Sequence, residues 1–150
     1  MRAWIVFLCI VYLSQPGILL AKGDPYIGGL RNVRGKGMIE RGQQRLVAKN
    51  GIKIRLNDVL VTGKNGAMGV IFNDGTRISL GPDSRIEITK YLYQPAHEEY
   101  GLILKMMYGT AYFISGAIGK AAPESVRFRT PVAIIGTRGT AFLAKVAPKN

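Results

Sequence analysis

Hydrophobic positions fall into two regimes along this chain. From Ala3 to Leu13 every residue is apolar, behind a short cap of Met1 and Arg2. The run stops at Ser14-Gln15-Pro16-Gly17 and resumes only briefly, from Ile18 to Ala21. Further on, apolar residues come in short β-type groups: 45–48, 52–56, 59–62, 67–72, 77–80, 85–89, 102–107, 111–114, 126–129, 132–135 and 141–146. Several alternate strictly, as in Ile52-Lys53-Ile54-Arg55-Leu56. Asn50-Gly51, Asn73-Asp74-Gly75 and Gly81-Pro82-Asp83 separate them, and such residues supply turns. Beyond the first segment no 3.6-residue apolar period persists for three turns. The pattern predicts an all-β single domain of short strands, solenoid-like or sandwich-like. The close spacing favours short rungs stacked on one another.

Residues 1–23 read as a signal peptide: a positive start, a short apolar stretch and small residues at the exit. Cleavage is expected after Ala21 or Gly23. The stretch is shorter than the roughly 20 residues of a membrane span, and Pro16-Gly17 interrupts a helix, so the mature chain is expected to have no stable span. An uncleaved amino-terminal anchor is the alternative. Either way the domain is expected in the periplasm or outside the cell. Residues 24–39, rich in Gly and charge, read as a flexible leader or a first, poorly formed strand, and 40–146 as the β domain. Helix is expected only in the signal and in one turn near Gln94–Glu99, a polar surface loop between two halves.

Charge adds a possible partner. The chain carries 21 Lys and Arg against 9 Asp and Glu, a net charge of +12. The excess is densest from Arg31 to Arg55, where Glu40 is the only acid. Such a surface suits an anionic envelope component, by long-range attraction, or is simply a solvated basic face. Nucleic acid is not expected, since no aromatic residue interleaves these cations.

Catalytic chemistry finds no support in the residues. The one cysteine, Cys9, lies in the signal segment, so the mature domain has no thiol. His97, the one histidine, sits beside Glu98 and Glu99 with no nucleophile-elbow pattern nearby. No metal-ligand spacing occurs, and neither a cofactor nor an enzyme activity is expected. Tyr91, Tyr93, Tyr100, Tyr108 and Tyr112 are expected in core and rim packing rather than in a sugar-stacking surface.

Three stretches carry a resemblance. They are Leu56-Asn57-Asp58-Val59-Leu60-Val61-Thr62-Gly63, the segment from Val70 to Ser84 with Asn73-Asp74-Gly75 and Leu80-Gly81-Pro82-Asp83, and Thr130-Pro131-Val132 through Gly136-Thr137-Arg138-Gly139-Thr140. With Gly109 and Ser115-Gly116, in this order and spacing, they resemble the periplasmic domain of the FecR family over about residues 40–145. The resemblance implies a β-rich, solenoid-like module outside the inner membrane. In its best-known members that module passes a signal from an iron-siderophore transporter to a sigma factor. With only Met1-Arg2 before the apolar run, a cytosolic segment is not expected, nor is the family's transporter-contacting carboxy-terminal portion after Thr140. The leading expectation is therefore a non-enzymatic interaction module binding a protein or an envelope polymer. A reduced signalling partner of a transporter and sigma-factor system is the alternative.

Most of the motif residues have structural work. Asp74 and Gly75 form a turn, Gly81 and Pro82 close the next rung, and Thr130-Pro131 forces an extended approach to the following strand. Gly136 to Thr140 has two readings. It is an anion nest in which Thr137, Arg138 and Thr140 bind a ligand, with Gly136 and Gly139 shaping the backbone. Or Arg138 pairs with an internal acid, Asp74, Asp83 or Glu87, and pins two rungs.

Overall fold

The structure, a computed structural model, describes residues 25–136 and 141–148. Alternating polar and apolar residues give β1 (Gly28–Arg34), β2 (Gly37–Arg41), β3 (Gln44–Val47), β4 (Lys53–Ile54), β5 (Val59–Thr62) and β6 (Ala67–Phe72). They continue as β7 (Arg77–Leu80), β8 (Arg85–Gln94), β9 (Glu99–Ile114), β10 (Val126–Arg129), β11 (Ile134–Gly136) and β12 (Ala141–Val146). The fold is all-β, as the patterning predicts, with one short helix, α1 (Ala117–Ala121), among the described residues. No helix of the described residues is long and apolar enough to cross a membrane.

The strands form one curled sheet in the order β3-β2-β5-β8-β9-β7-β6-β1-β4. Its logic is four bent ribbons lying side by side. β1 with β2, β6 with β5, β7 with β8, and the long β9 each fold from one arm of the curl to the other. Arm A holds β4, β1, β6, β7, the second half of β9, and β12. Arm B holds β3, β2, β5, β8, the first half of β9, β10 and β11.

The two arms bury facing rows of side chains. Across arm A, Leu30, Val70, Ile78, Phe113 and Phe142 stand opposite one another. Across arm B the rows are Ile39, Leu60, Ile86 and Met106, then Ile88, Leu104, Phe128 and Ile135. Phe113 and Phe128 are fully buried, each contributing roughly 2–3 kcal/mol by removal from water. Phe142 joins the arms, stacked on Phe113 at 5.0 Å and edge-on to Phe128 at 5.3 Å.

The corner where ribbons change arms is a polar seam. Gly63 N–H donates to Lys36 O, Thr62 N–H to Ser84 O and Gly81 N–H to Thr110 O, each at 2.9 Å. Ser84 Oγ accepts the Thr110 N–H at 2.9 Å, and Thr62 Oγ1 accepts the Ser84 N–H at the same distance. Gly109 makes the bend within β9: its φ is +104°, and a Cβ there would overlap Ser84. Gly81 and Pro82 lie in this seam, where the Pro82 carbonyl accepts from Ser84 Oγ at 3.2 Å.

Four expectations change. Residues 28–39 are not a leader: β1 and β2 occupy the body of the sheet, because Leu30 and Ile39 are fully buried at inward positions despite the surrounding Gly and charge. The stretches 102–107 and 111–114 are one 16-residue strand, since Gly109 bends the chain without interrupting pairing. The Gln94–Glu99 segment is not a loop between halves but a hairpin tip joining β8 to β9, with a 3-10 turn at Pro95–His97. Finally, α1 forms outside the two places where helix was expected, because Asp74 accepts the N–H groups that open it.

Candidate interaction surface

The curl has a mouth opposite the corner, and two carboxylates close it. Asp58, fully buried, takes a two-pronged ion pair from Arg41, with both N···O distances 2.8 Å, and also accepts the Arg55 N–H. The same guanidinium donates to Lys53 O at 2.9 Å and so ties β2 to β4. The Asp58 hydrogen bonds hold the Arg41 pKa above its ordinary value. Asp74, also buried, uses neutral donors instead. Thr76 Oγ1 donates at 2.6 Å and Ile118 N–H at 3.2 Å, while the Asp74 carbonyl accepts the Ala117 N–H. The Asp74 N–H donates to Tyr91 Oη at 2.9 Å, and Tyr91 stacks on Phe72 at 5.5 Å. Burial, then the Asp74 charge, raises the Tyr91 hydroxyl pKa. Asp74 and Gly75 thus form a turn that also locks arm A to arm B. Neither carboxylate is free for a ligand.

The side of the curl beyond β9 is different. Among the described residues β11 pairs only with β10 and β12 only with β9, so each presents an unpaired edge. Between the edges lies a cleft of about 700 Å³, lined by Met107, Pro131, Val132, Ile135, Leu143 and Val146, among others. Thr130-Pro131 builds one wall. Thr130 Oγ1 accepts the Ala133 N–H at 3.0 Å and donates to Ala133 O at 3.1 Å, while Thr130 N–H donates to the same oxygen at 2.8 Å. This closed turn, with proline fixing its entry, pushes Val132 into solvent at 91% exposure. Ile134 and Leu143 are exposed at 62% and 68%. On the other side of Thr130-Pro131, a groove of about 490 Å³ continues over arm B past Glu87, Lys105, Arg129 and Ile134.

The expected site residues divide accordingly. Thr130 and Pro131 line the cleft, while Gly136 ends β11 opposite Arg127 and is not part of its wall. Thr137, Arg138, Gly139 and Thr140 lie outside the described residues. Of the acids named as partners for Arg138, Asp74 is held at the mouth, Asp83 is exposed at the corner, and Glu87 faces outward on arm B. The three stand in different parts of the fold.

Sequence reasoning passed over the Arg41–Asp58 lock, counting Arg41 among the surface cations. Its signal was parity: Arg41 lies two residues after the buried Ile39, so it points inward and needs an acid. Glu40, likewise, is not an isolated acid among cations. Arg85 reaches it at 2.6 Å, and this bond lowers the Glu40 pKa. The exposed apolar residues also left a trace. Val132-Ala133-Ile134-Ile135 is continuously apolar, and a strand cannot point four successive side chains inward.

The FecR protein family model matches residues 58–150. The chain belongs to the FecR family. Neither a curated protein nor a solved structure shows a match. The FecR match takes in both mouth carboxylates, the bend at Gly109 and the whole cleft, while β1 to β4 precede it. FecR membership thus agrees with the resemblance carried by the three motifs.

Proposed function

We propose that this chain is a FecR-type signalling module of the cell envelope that acts without catalysis, by holding a protein segment along the β11–β12 side. The observation that carries this reading is the pair of strand edges, unpaired among the described residues, that flank an apolar cleft built by the Thr130-Pro131 turn within the family match. Unpaired N–H and C=O groups bind an added strand, and pockets between them select its side chains. Family membership favours signalling over generic binding of an envelope polymer. A reduced partner of an iron-siderophore transporter and sigma-factor system is the form this takes. Export, with residues 1–23 removed, belongs to the same reading, and amino-terminal sequencing of the fractionated protein tests it.

The binding claim is tested by a photo-crosslinking residue at Val132 or Leu143 in living cells. The expected result is a discrete protein adduct that disappears with Ile134→Asp. Transcript profiling of a deletion strain, complemented with wild type or Ile134→Asp, tests the signalling claim. A small, shared set of promoters should respond in both the deletion and the variant. An adduct confined to polysaccharide, or an unaltered transcript profile, would sink the reading.

A further inference from the structure

We propose that the outer face of arm A is a docking surface for an anionic lipid bilayer. The strand register defines this face. One outward row runs Lys53, Gly29, Ile71, Arg77, Ile114 and Ala141. The next runs Arg31, Gly69, Ser79, Tyr112 and Leu143, and Thr110 opposite Lys145 follows. Ile71, Tyr112 and Leu143 are exposed at 41%, 43% and 68%. The small residues between them leave these three side chains standing clear of the sheet.

Charge separates this face from the other. No Asp or Glu occupies an outward position on arm A among the described residues, while Arg31, Lys53, Arg77 and Lys145 surround the apolar centre. On arm B one outward row runs Arg45, Glu40, Val59, Glu87, Lys105 and Arg129, mixing both signs, with Arg85 paired to Glu40, and a second runs Lys90, Ile103, Arg127 and Gly136. What distinguishes arm A is therefore not the number of its cations but that they ring an apolar patch with no outward acid among the described residues to neutralise them.

That combination fits a bilayer surface better than a soluble polyanion. Cations near an anionic leaflet each contribute attraction, while apolar and tyrosyl side chains enter the headgroup boundary. Long Lys and Arg stems lie along the apolar patch with their charges at the phosphates. A soluble polyanion uses only the cations and gives the exposed Ile71 nothing to do, whereas Leu143 also lines the cleft.

The test is co-sedimentation of the protein, as the cell delivers it, with vesicles of phosphatidylcholine and phosphatidylglycerol in equal parts. Vesicles of phosphatidylcholine alone serve as reference. All variants share one amino terminus, so any contribution from it cancels. Arg31→Glu with Arg77→Glu should weaken binding on the order of tenfold or more. Ile71→Ser with Tyr112→Ser should weaken it severalfold with no change in charge. Arg45→Glu with Arg129→Glu, the same charge change on arm B, should leave most binding intact. Each substituted position is exposed, and melting temperatures close to wild type confirm folding. Equal loss from the two charge reversals would reduce the effect to net charge and overturn the proposal. So would indifference to Ile71→Ser with Tyr112→Ser, which would make the face a polyanion site, or failure to bind anionic vesicles. Loss of the protein adduct with Ile134→Asp bears on the cleft alone, so either reading can fail without the other.

Discussion

The mouth of the curl and its β11–β12 side are built from similar short strands and turns, yet they treat polar and apolar groups in opposite ways. At the mouth both buried carboxylates are engaged internally: Asp58 by Arg41 and a backbone N–H, Asp74 by Thr76, Ile118 and Tyr91. At the β11–β12 side, among the described residues, strand edges are unpaired and large apolar residues face solvent. Substitution at the mouth should therefore cost stability, and substitution at the cleft should cost binding while leaving the fold intact.

The sharpest break of this contrast is Asp58→Ala. It leaves the Arg41 guanidinium without its acid and the Arg55 N–H without an acceptor, and should destabilise the domain by about 3 kcal/mol. The low end of the range applies because the Arg41 side chain keeps 22% of its exposure and reaches water. Denaturant unfolding measures it, and a loss below about 1 kcal/mol would show that the lock is dispensable. Asp74→Ala should cost about 2 kcal/mol, because the Thr76 hydroxyl and the Ile118 N–H lose a buried acceptor. Hydrogen exchange should then show faster opening of α1 than of β9. Tyr91→Phe keeps the stack on Phe72 and removes one hydroxyl, so about 1 kcal/mol is expected in the same assay.

Smaller effects sharpen the other side. Val132→Asp and Leu143→Glu should each change unfolding free energy by no more than about 0.5 kcal/mol, since both side chains are already in water. A cooperative loss of stability in either would mean that the cleft is part of the core and would erase the contrast. The smallest expected effect is acid dependence from Glu40. The Arg85 bond lowers its pKa from 4.5, so its contribution is fully present above that pH and is lost as pH falls through the lower folded value. The loss should be shallow because the pair is partly exposed. Melting curves of wild type and Glu40→Gln should converge in acid; parallel curves at all pH values would remove Glu40 from the account.

Much of the fold was legible because strand patterning is local. β5, β6, β7, β10 and β12 fall on predicted runs, as each alternates and ends at a turn residue. The failures came where a distant partner decides. β1 and β2 carry a solvent-like composition, and Leu30 and Ile39 become core only when β6 and β5 lie beside them. α1 forms because Asp74, far away in sequence, accepts its first N–H groups. The candidate site was half legible. Thr130-Pro131 was expected to lead in extended form into the next strand, whereas Thr130 closes a turn onto Ala133 and β11 begins only at Ile134, and the cleft beside it exists only because β12 returns to the far half of β9.

By itself the sequence determined an all-β domain, the positions of its tight turns, the family to which it belongs and a large excess of positive charge. These follow from side-chain alternation, turn propensity and composition, which act over a few residues or over the whole chain. The tertiary structure alone decided which acids are used up internally, which edges of the described strands stay unpaired and which face carries cations without acids. Those properties depend on cross-strand register. A shift of one residue exchanges the inward and outward faces, and only the packed sheet selects between them.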